Sequence, residues 1–97
     1  MIIMTTEFEI DPLRHDEAVA ASLEMQEALA DFPGAISLRF FITIENPNVF
    51  FLYEVWRDHD AYEAHLKHPA LHKVQKASKN YVVRRIRSSS FDATRRH

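Results

Sequence analysis

The sequence predicts an α+β domain, an antiparallel sheet with helices packed against one of its faces. Three observations carry this. Polar and apolar residues alternate through 2–10, 35–44 and 80–88, the period of a half-buried strand. Between the first two of these, Ala18, Ala21, Met25, Leu29 and Phe32 recur at helical spacing. A further strand, Val49 to Trp56, is apolar on both faces, which asks for cover on both sides of the sheet.

Taken in order, the first strand sets Met4, Thr6, Phe8 and Ile10 on one face and Ile3, Thr5, Glu7 and Glu9 on a wetter one. Asp11-Pro12 turns the chain into a helix that runs to about Phe32, where Pro33-Gly34, holding the only glycine, ends it. In the second strand Ile36, Leu38, Phe40, Ile42 and Ile44 alternate with Ser37, Arg39, Phe41 and Thr43. A turn at Glu45 to Asn48 leads to the third strand, with Phe50, Leu52 and Trp56 on one side and Val49, Phe51, Tyr53 and Val55 on the other. Asp58 is placed to cap a short helix to about Lys67, and Pro69 opens a further helical segment to about Lys79. The last strand, Asn80 to Ser88, closes a domain of residues 1–88, and 89–97 form a polar tail. The order β, α, β, β, α(α), β is the split βαβ pattern of a ferredoxin-like sandwich. The second face of its sheet has no cover within one chain, so a second copy is expected there, in a homodimer.

Composition narrows the functional classes. At 97 residues and 46% hydrophobic content the chain makes one small domain. It has no cysteine, so disulfides, thiolate metal sites and cysteine catalysis are excluded. The formal net charge is −2, divided as nine acids and two bases in 1–50 against five acids and ten bases in 51–97. Arg84, Arg85 and Arg87 form a modest basic region, without a nucleic-acid motif around it. No apolar stretch approaches membrane-spanning length and the N-terminus lacks a signal-peptide pattern, so a cytoplasmic protein with neither nucleic-acid nor membrane partner is expected.

Chemistry concentrates between Tyr53 and Lys73. Glu54 interrupts an apolar strand, and a buried carboxylate needs a partner or a proton. If the hairpin pairs residue 44 with 49, Arg39 lies opposite Glu54 and Ser37 opposite Trp56; the pair is then a structural bridge or part of a site. Trp56 shares the face of Glu54 and suits either a flat ligand or the core. Of the histidines that follow, His68 and His72 have metal-ligand spacing, but Pro69 breaks the helix between His65 and His72, and no metal site is expected. His65 lies with Ala61, Tyr62 and Leu66 on the helix face that looks at the sheet, where an imidazole can move protons near neutral pH or simply be satisfied by a carbonyl. No serine-nucleophile motif, phosphate loop or dinucleotide fingerprint is present.

Thr6-Glu7-Phe8-Glu9-Ile10, Pro33-Gly34, the Asn46-Pro47 turn and Tyr53-Glu54-Val55-Trp56 occur in an order that resembles the antibiotic biosynthesis monooxygenase family, which includes quinol monooxygenase-like enzymes. Tyr62-Glu63-Ala64-His65-Leu66 followed by Pro69 resembles that family's LEAHL..TPH segment. The resemblance implies a dimeric α/β barrel with a pocket between sheet and helices. It also implies a monooxygenase without metal, flavin or haem, in which a small aromatic or quinol substrate loses a proton and its anion reacts with dioxygen. In that reading His65 transfers the proton, Glu54 tunes it, Trp56 and Phe40 contact the ring, and Tyr62, Thr6 and Arg39 complete the pocket. The family segment's second histidine is Ala70 here, while Thr6 and Gln75 stand where a haem-degrading branch has its asparagine and histidine. The alternatives are a non-catalytic dimeric small-ligand-binding or stress-response module, or an isomerase of a small phosphorylated signal molecule.

Overall fold

The computed structural model describes residues 1–96; His97, the end of the expected tail, lies outside the described residues. Four antiparallel strands, β1 (Ile2–Ile10), β2 (Ala35–Ile42), β3 (Val49–Trp56) and β4 (Val82–Asp92), form one sheet in the order β2-β3-β1-β4. The helices are α1 (His15–Leu29), α2 (His59–His65) and α3 (Pro69–Ser78). This is the ferredoxin-like α+β sandwich expected from the pattern. None of the described helices is long and apolar enough to cross a membrane.

One side of the sheet packs on the helices. Met25 and Leu29 of α1, Ala61 of α2 and Leu71 of α3 close over Leu38 and Trp56, with Ile2, Met4, Phe40 and Leu52 at the margin. A second cluster joins Phe8, Ile10 and Phe50 to Ala18 and Tyr81. By strand alternation the opposite face carries Ile3, Phe41, Phe51, Tyr53 and Phe91, of which Phe41 and Phe91 are 44% and 54% exposed.

The first helix differs from expectation at both ends. Asp11 caps a 3-10 turn, Pro12–Arg14, before α1 begins, its carboxylate accepting from the Leu13 amide at 2.9 Å. At the other end α1 stops at Leu29, and the amides of Ala30 and Phe32 reach back only three residues, to Glu27 and Leu29. The proline at 33 disfavours helical backbone at Phe32, so the last turn tightens and unwinds. Phe32 keeps its core role, edge-on to Trp56 at 6.1 Å.

The β2–β3 register also departs from the expected one. β2 ends at Ile42, Ile44 is fully exposed, and the hairpin closes with the Thr43 amide on the Val49 carbonyl at 3.0 Å. Asn46 explains the longer loop: its carbonyl accepts from the Val49 amide and the Thr43 hydroxyl, and its side chain accepts from the Asn48 amide. Ile42 therefore pairs with Phe50, Leu38 with Glu54 and Arg39 with Tyr53. The expected Arg39–Glu54 pairing is corrected, because a one-residue slip sends Arg39 to the opposite face. The same slip places Ser37 opposite Val55 rather than Trp56, and a bulge between Ala35 and Ser37 puts Ala35 opposite Trp56.

The last strand outruns its expected end. It continues through the serines to Asp92, with Phe91 opposite Ile3, so residues 89–92 of the expected tail are sheet. Two bulges, at Val83 and Ile86, interrupt its pairing with β1.

Gly34 ties β2 to α2. It has φ of +85°, its carbonyl accepts from the Arg57 amide at 2.8 Å, and a Cβ on it would stand 2.3 Å from the Ala61 Cβ. Both the left-handed backbone and the close approach exclude a side chain. Gly34→Ala is expected to destabilise the domain by about 2 kcal/mol or more, read as a lower midpoint in urea unfolding.

Candidate functional site

The site begins at the end of β3, where alternation turns Glu54 and Trp56 to the helix face. Asp58 then starts α2: its carboxylate accepts from the Ala61 amide at 2.8 Å and receives the Arg57 guanidinium at 3.1 Å, two bonds that hold it below the usual carboxylate range. That cap sets the phase of α2, so Ala61 and His65, four residues apart, face the sheet. The helix stops at His65, two residues before the expected Lys67. His68 caps α3, its Nδ1 accepting from the Ala70 amide at 3.0 Å, with Pro69 in the first turn.

His65 is 2% exposed and Trp56 fully buried, their rings stacked at 4.2 Å with 26° between planes. His65 Nδ1 donates to the Tyr62 carbonyl, which leaves Nε2 as the acceptor nitrogen. Nε2 lies 3.6 Å from Glu54 Oε1, which also accepts from the Trp56 indole at 3.3 Å. Burial pushes the Glu54 carboxyl above its ordinary value, with the indole bond opposing. It pushes His65 below its ordinary value, against the carbonyl bond and the nearby Glu63. Burial, then Glu54 and Glu63, raise the Tyr62 phenol. Burial thus disfavours the charged form of both members of the Glu54–His65 contact.

These groups open onto a cavity of about 340 Å³ between sheet and helices. Met4, Phe8, Phe40 and Leu52 supply its sheet wall, and Leu66, Leu71 and Val74 its helix wall. Glu54, Tyr62 and His65 line it at the β3–α2 side; Thr6 and Ser88, whose hydroxyls are 3.4 Å apart, line it on β1 and β4. A pocket whose apolar walls are joined by converging polar groups is the form of a small-molecule site.

Most of the residues singled out from the sequence meet here: His65, Glu54, Phe40, Tyr62 and Thr6 are walls of one cavity. Trp56 is not a wall; it supports the imidazole from behind. Arg39 is outside, with its guanidinium 5.5 Å from the Phe41 ring. His59 meets Glu63 at 3.2 Å on the exposed side of α2, and His72 Nε2 contacts the Leu66 carbonyl at 2.8 Å. Ala70 is not a wall of the cavity either.

Sequence reasoning missed Gln75, Ser78, Tyr81, Arg85 and Ser88. Gln75 and Ser78 were recoverable, because Leu71, Val74, Gln75 and Ser78 form one helical stripe. Arg85 was not, since a bulge in β4 breaks its alternation with Val82; Ser88 was missed because it falls past the last apolar residue of the pattern.

Replacing Glu54 by Gln tests the buried acid. Its folded-state value is raised, so the folded protein holds this proton more tightly than the unfolded chain, and the wild type loses stability as pH climbs from about 4.5 through the folded value. Melting temperatures of Glu54→Gln and wild type are expected to diverge in favour of the variant as pH rises across that window.

Residues 1–77 match the antibiotic biosynthesis monooxygenase family. Among solved structures, the chain superposes with a TM-score of 0.90 on a Deinococcus radiodurans protein named for those monooxygenases, at 17% identity over 98% of this chain and 94% of that one. A Bacteroides thetaiotaomicron protein named in the same way is 26% identical, with a TM-score of 0.83 and coverage of 99% and 90%. The uncharacterized protein sll1783 of Synechocystis is 26% identical over 83 residues, which span 86% of this chain and 56% of that protein. With more than three quarters of its length in that match and the same sandwich beneath it, this chain belongs to the antibiotic biosynthesis monooxygenase family.

Proposed function

We propose that the protein is a monooxygenase that oxidises a small aromatic or quinol substrate with dioxygen, without metal, flavin or haem. One observation carries the reading: one cavity holds an acceptor imidazole nitrogen with a buried carboxyl beside it. A quinol hydroxyl directed at His65 Nε2 gives up its proton there, and the imidazolium that forms is stabilised by Glu54 at 3.6 Å and by the Tyr62 carbonyl on its other nitrogen. The deprotonated ring is electron-rich enough to reduce dioxygen directly. One oxygen atom is added at a ring carbon and the other leaves as water, so quinol and dioxygen give hydroxyquinone and water in balance. Phe40 and Leu52 hold the ring, while the stack on Trp56 fixes the imidazole plane.

The working unit in this reading is a homodimer joined through the open sheet face, whose Ile3, Phe41, Phe51, Tyr53 and Phe91 lie opposite the described helices. Sedimentation of the wild type at micromolar concentration is expected to give twice the 11.4 kDa protomer mass, and Phe51→Glu one protomer mass. A wild-type mass of one protomer overturns the dimer.

Oxygen uptake with a panel of quinols tests the chemistry. His65→Gln is expected to lower kcat by about a hundredfold or more while keeping the circular dichroism of the fold. For the wild type, kcat/KM should rise with pH through a midpoint below the ordinary imidazole value of 6.5, because burial depresses the base. Saturable ligand binding with no oxygen consumed would instead make the protein a small-ligand-binding module.

A further inference from the structure

Apart from His65, Arg85 is the one basic side chain among the described residues that line the cavity, and the route by which it gets there is unusual. On a regular strand Val82, Arg84, Ile86 and Ser88 would share a face and Arg85 would point the other way. The bulges at Val83 and Ile86 reset the alternation, so Val82, Arg85 and Ser88 stand opposite Ile10, Phe8 and Thr6 on the cavity face, three residues apart. Two bulges in five residues are a specific device, and bulges beside functional sites serve to re-aim side chains. The flanking arginines go to the opposite face and to acids: Arg84 Nε donates to Glu9 Oε1 at 2.8 Å, and Arg87 lies opposite Glu7. Among the described residues Arg85 has no such partner. Among the described residues the one carboxyl in the cavity wall, Glu54, is two strands away on β3 and four residues along the sheet, opposite Met4 where Arg85 is opposite Phe8, about 17 Å between backbones, and is already engaged by Trp56 and His65. One row from Arg85, the hydroxyls of Thr6 and Ser88 supply further donors.

We infer that Arg85, with the Thr6 and Ser88 hydroxyls, binds an oxyanion on the substrate, so that the cavity takes an aromatic or quinol acid with its carboxylate at β4 and its ring toward His65. This rests on the oxidation proposed above. A planar guanidinium matches a carboxylate in a two-bond fork, and the separation of β4 from β3 leaves room for a fused-ring acid between the anion and His65. Arg85 faces away from the open sheet face, so a dimer built there leaves it available to substrate.

A dihydroxynaphthoate and the dihydroxynaphthalene lacking its carboxylate separate the possibilities. Binding is measured by calorimetry under argon, and oxygen uptake in air, for wild type, Arg85→Met and Arg84→Met. The acid is expected to bind wild type about ten- to a hundredfold tighter than the neutral ring, the range for a hydrogen bond to a charged group. Arg85→Met should collapse that ratio toward one and Arg84→Met, on the opposite face, should keep it. Arg85 is exposed, so its loss is not expected to unfold the chain, and melting temperatures check this. Equal binding of acid and neutral ring by wild type overturns the inference, as does a ratio that survives Arg85→Met. Arg85-dependent binding of naphthyl phosphate but not of the carboxylate overturns the carboxylic-acid assignment and makes the anion a phosphate. Arg85-dependent binding of the acid under argon with no oxygen uptake in air supports the anion site while removing the oxidation; oxidation of both rings at equal kcat/KM does the reverse.

Discussion

A carboxyl on an interior position of a central strand constrains much of what surrounds it. Glu54 is 7% exposed, and an unsatisfied acid at that depth costs several kcal/mol unless it gains a partner or a proton. The fold meets the demand locally. Trp56, two residues on and therefore on the same face, donates its indole proton, and α2 brings His65 up to the same oxygen. That arrangement needs the chain to turn sharply after Trp56, which is what the Gly34–Arg57 hydrogen bond and the Asp58 cap provide. The same contacts that satisfy a buried acid thus create a buried acid–base pair at the wall of a cavity.

Perturbation of the pair follows from its position rather than from any charge nearby. Desolvation moves acid and base in opposite directions, toward a state in which both are neutral. A neutral imidazole is a ready proton acceptor, and a carboxylate beside it can stabilise the charge that arrives. The Trp56 ring at 4.2 Å contributes orientation and exclusion of water, a structural part for an aromatic that sequence reading places against the ligand.

Strand irregularities decide the rest of the cavity. The Asn46 turn moves Arg39 out of reach of Glu54, and the bulged β4 moves Arg85 in. The result is polarised, with an acid–base pair beside α2 and a guanidinium with hydroxyls on β4. Between them lie apolar walls from Phe40 and Leu52.

Strand and helix order, the helix face bearing His65 and the anomaly of Glu54 were all legible in the sequence, because period-2 and period-3.6 patterns depend only on neighbouring residues. So were the Asp58 cap and the break at Pro69, which act within one turn of chain. What only the tertiary structure decided was register. Whether Arg39 or Leu38 faces Glu54 depends on hydrogen bonds made by Asn46, and whether Arg85 faces the cavity depends on two unpaired residues in an eleven-residue strand. A single inserted residue reverses every side chain beyond it, and no local pattern records that count.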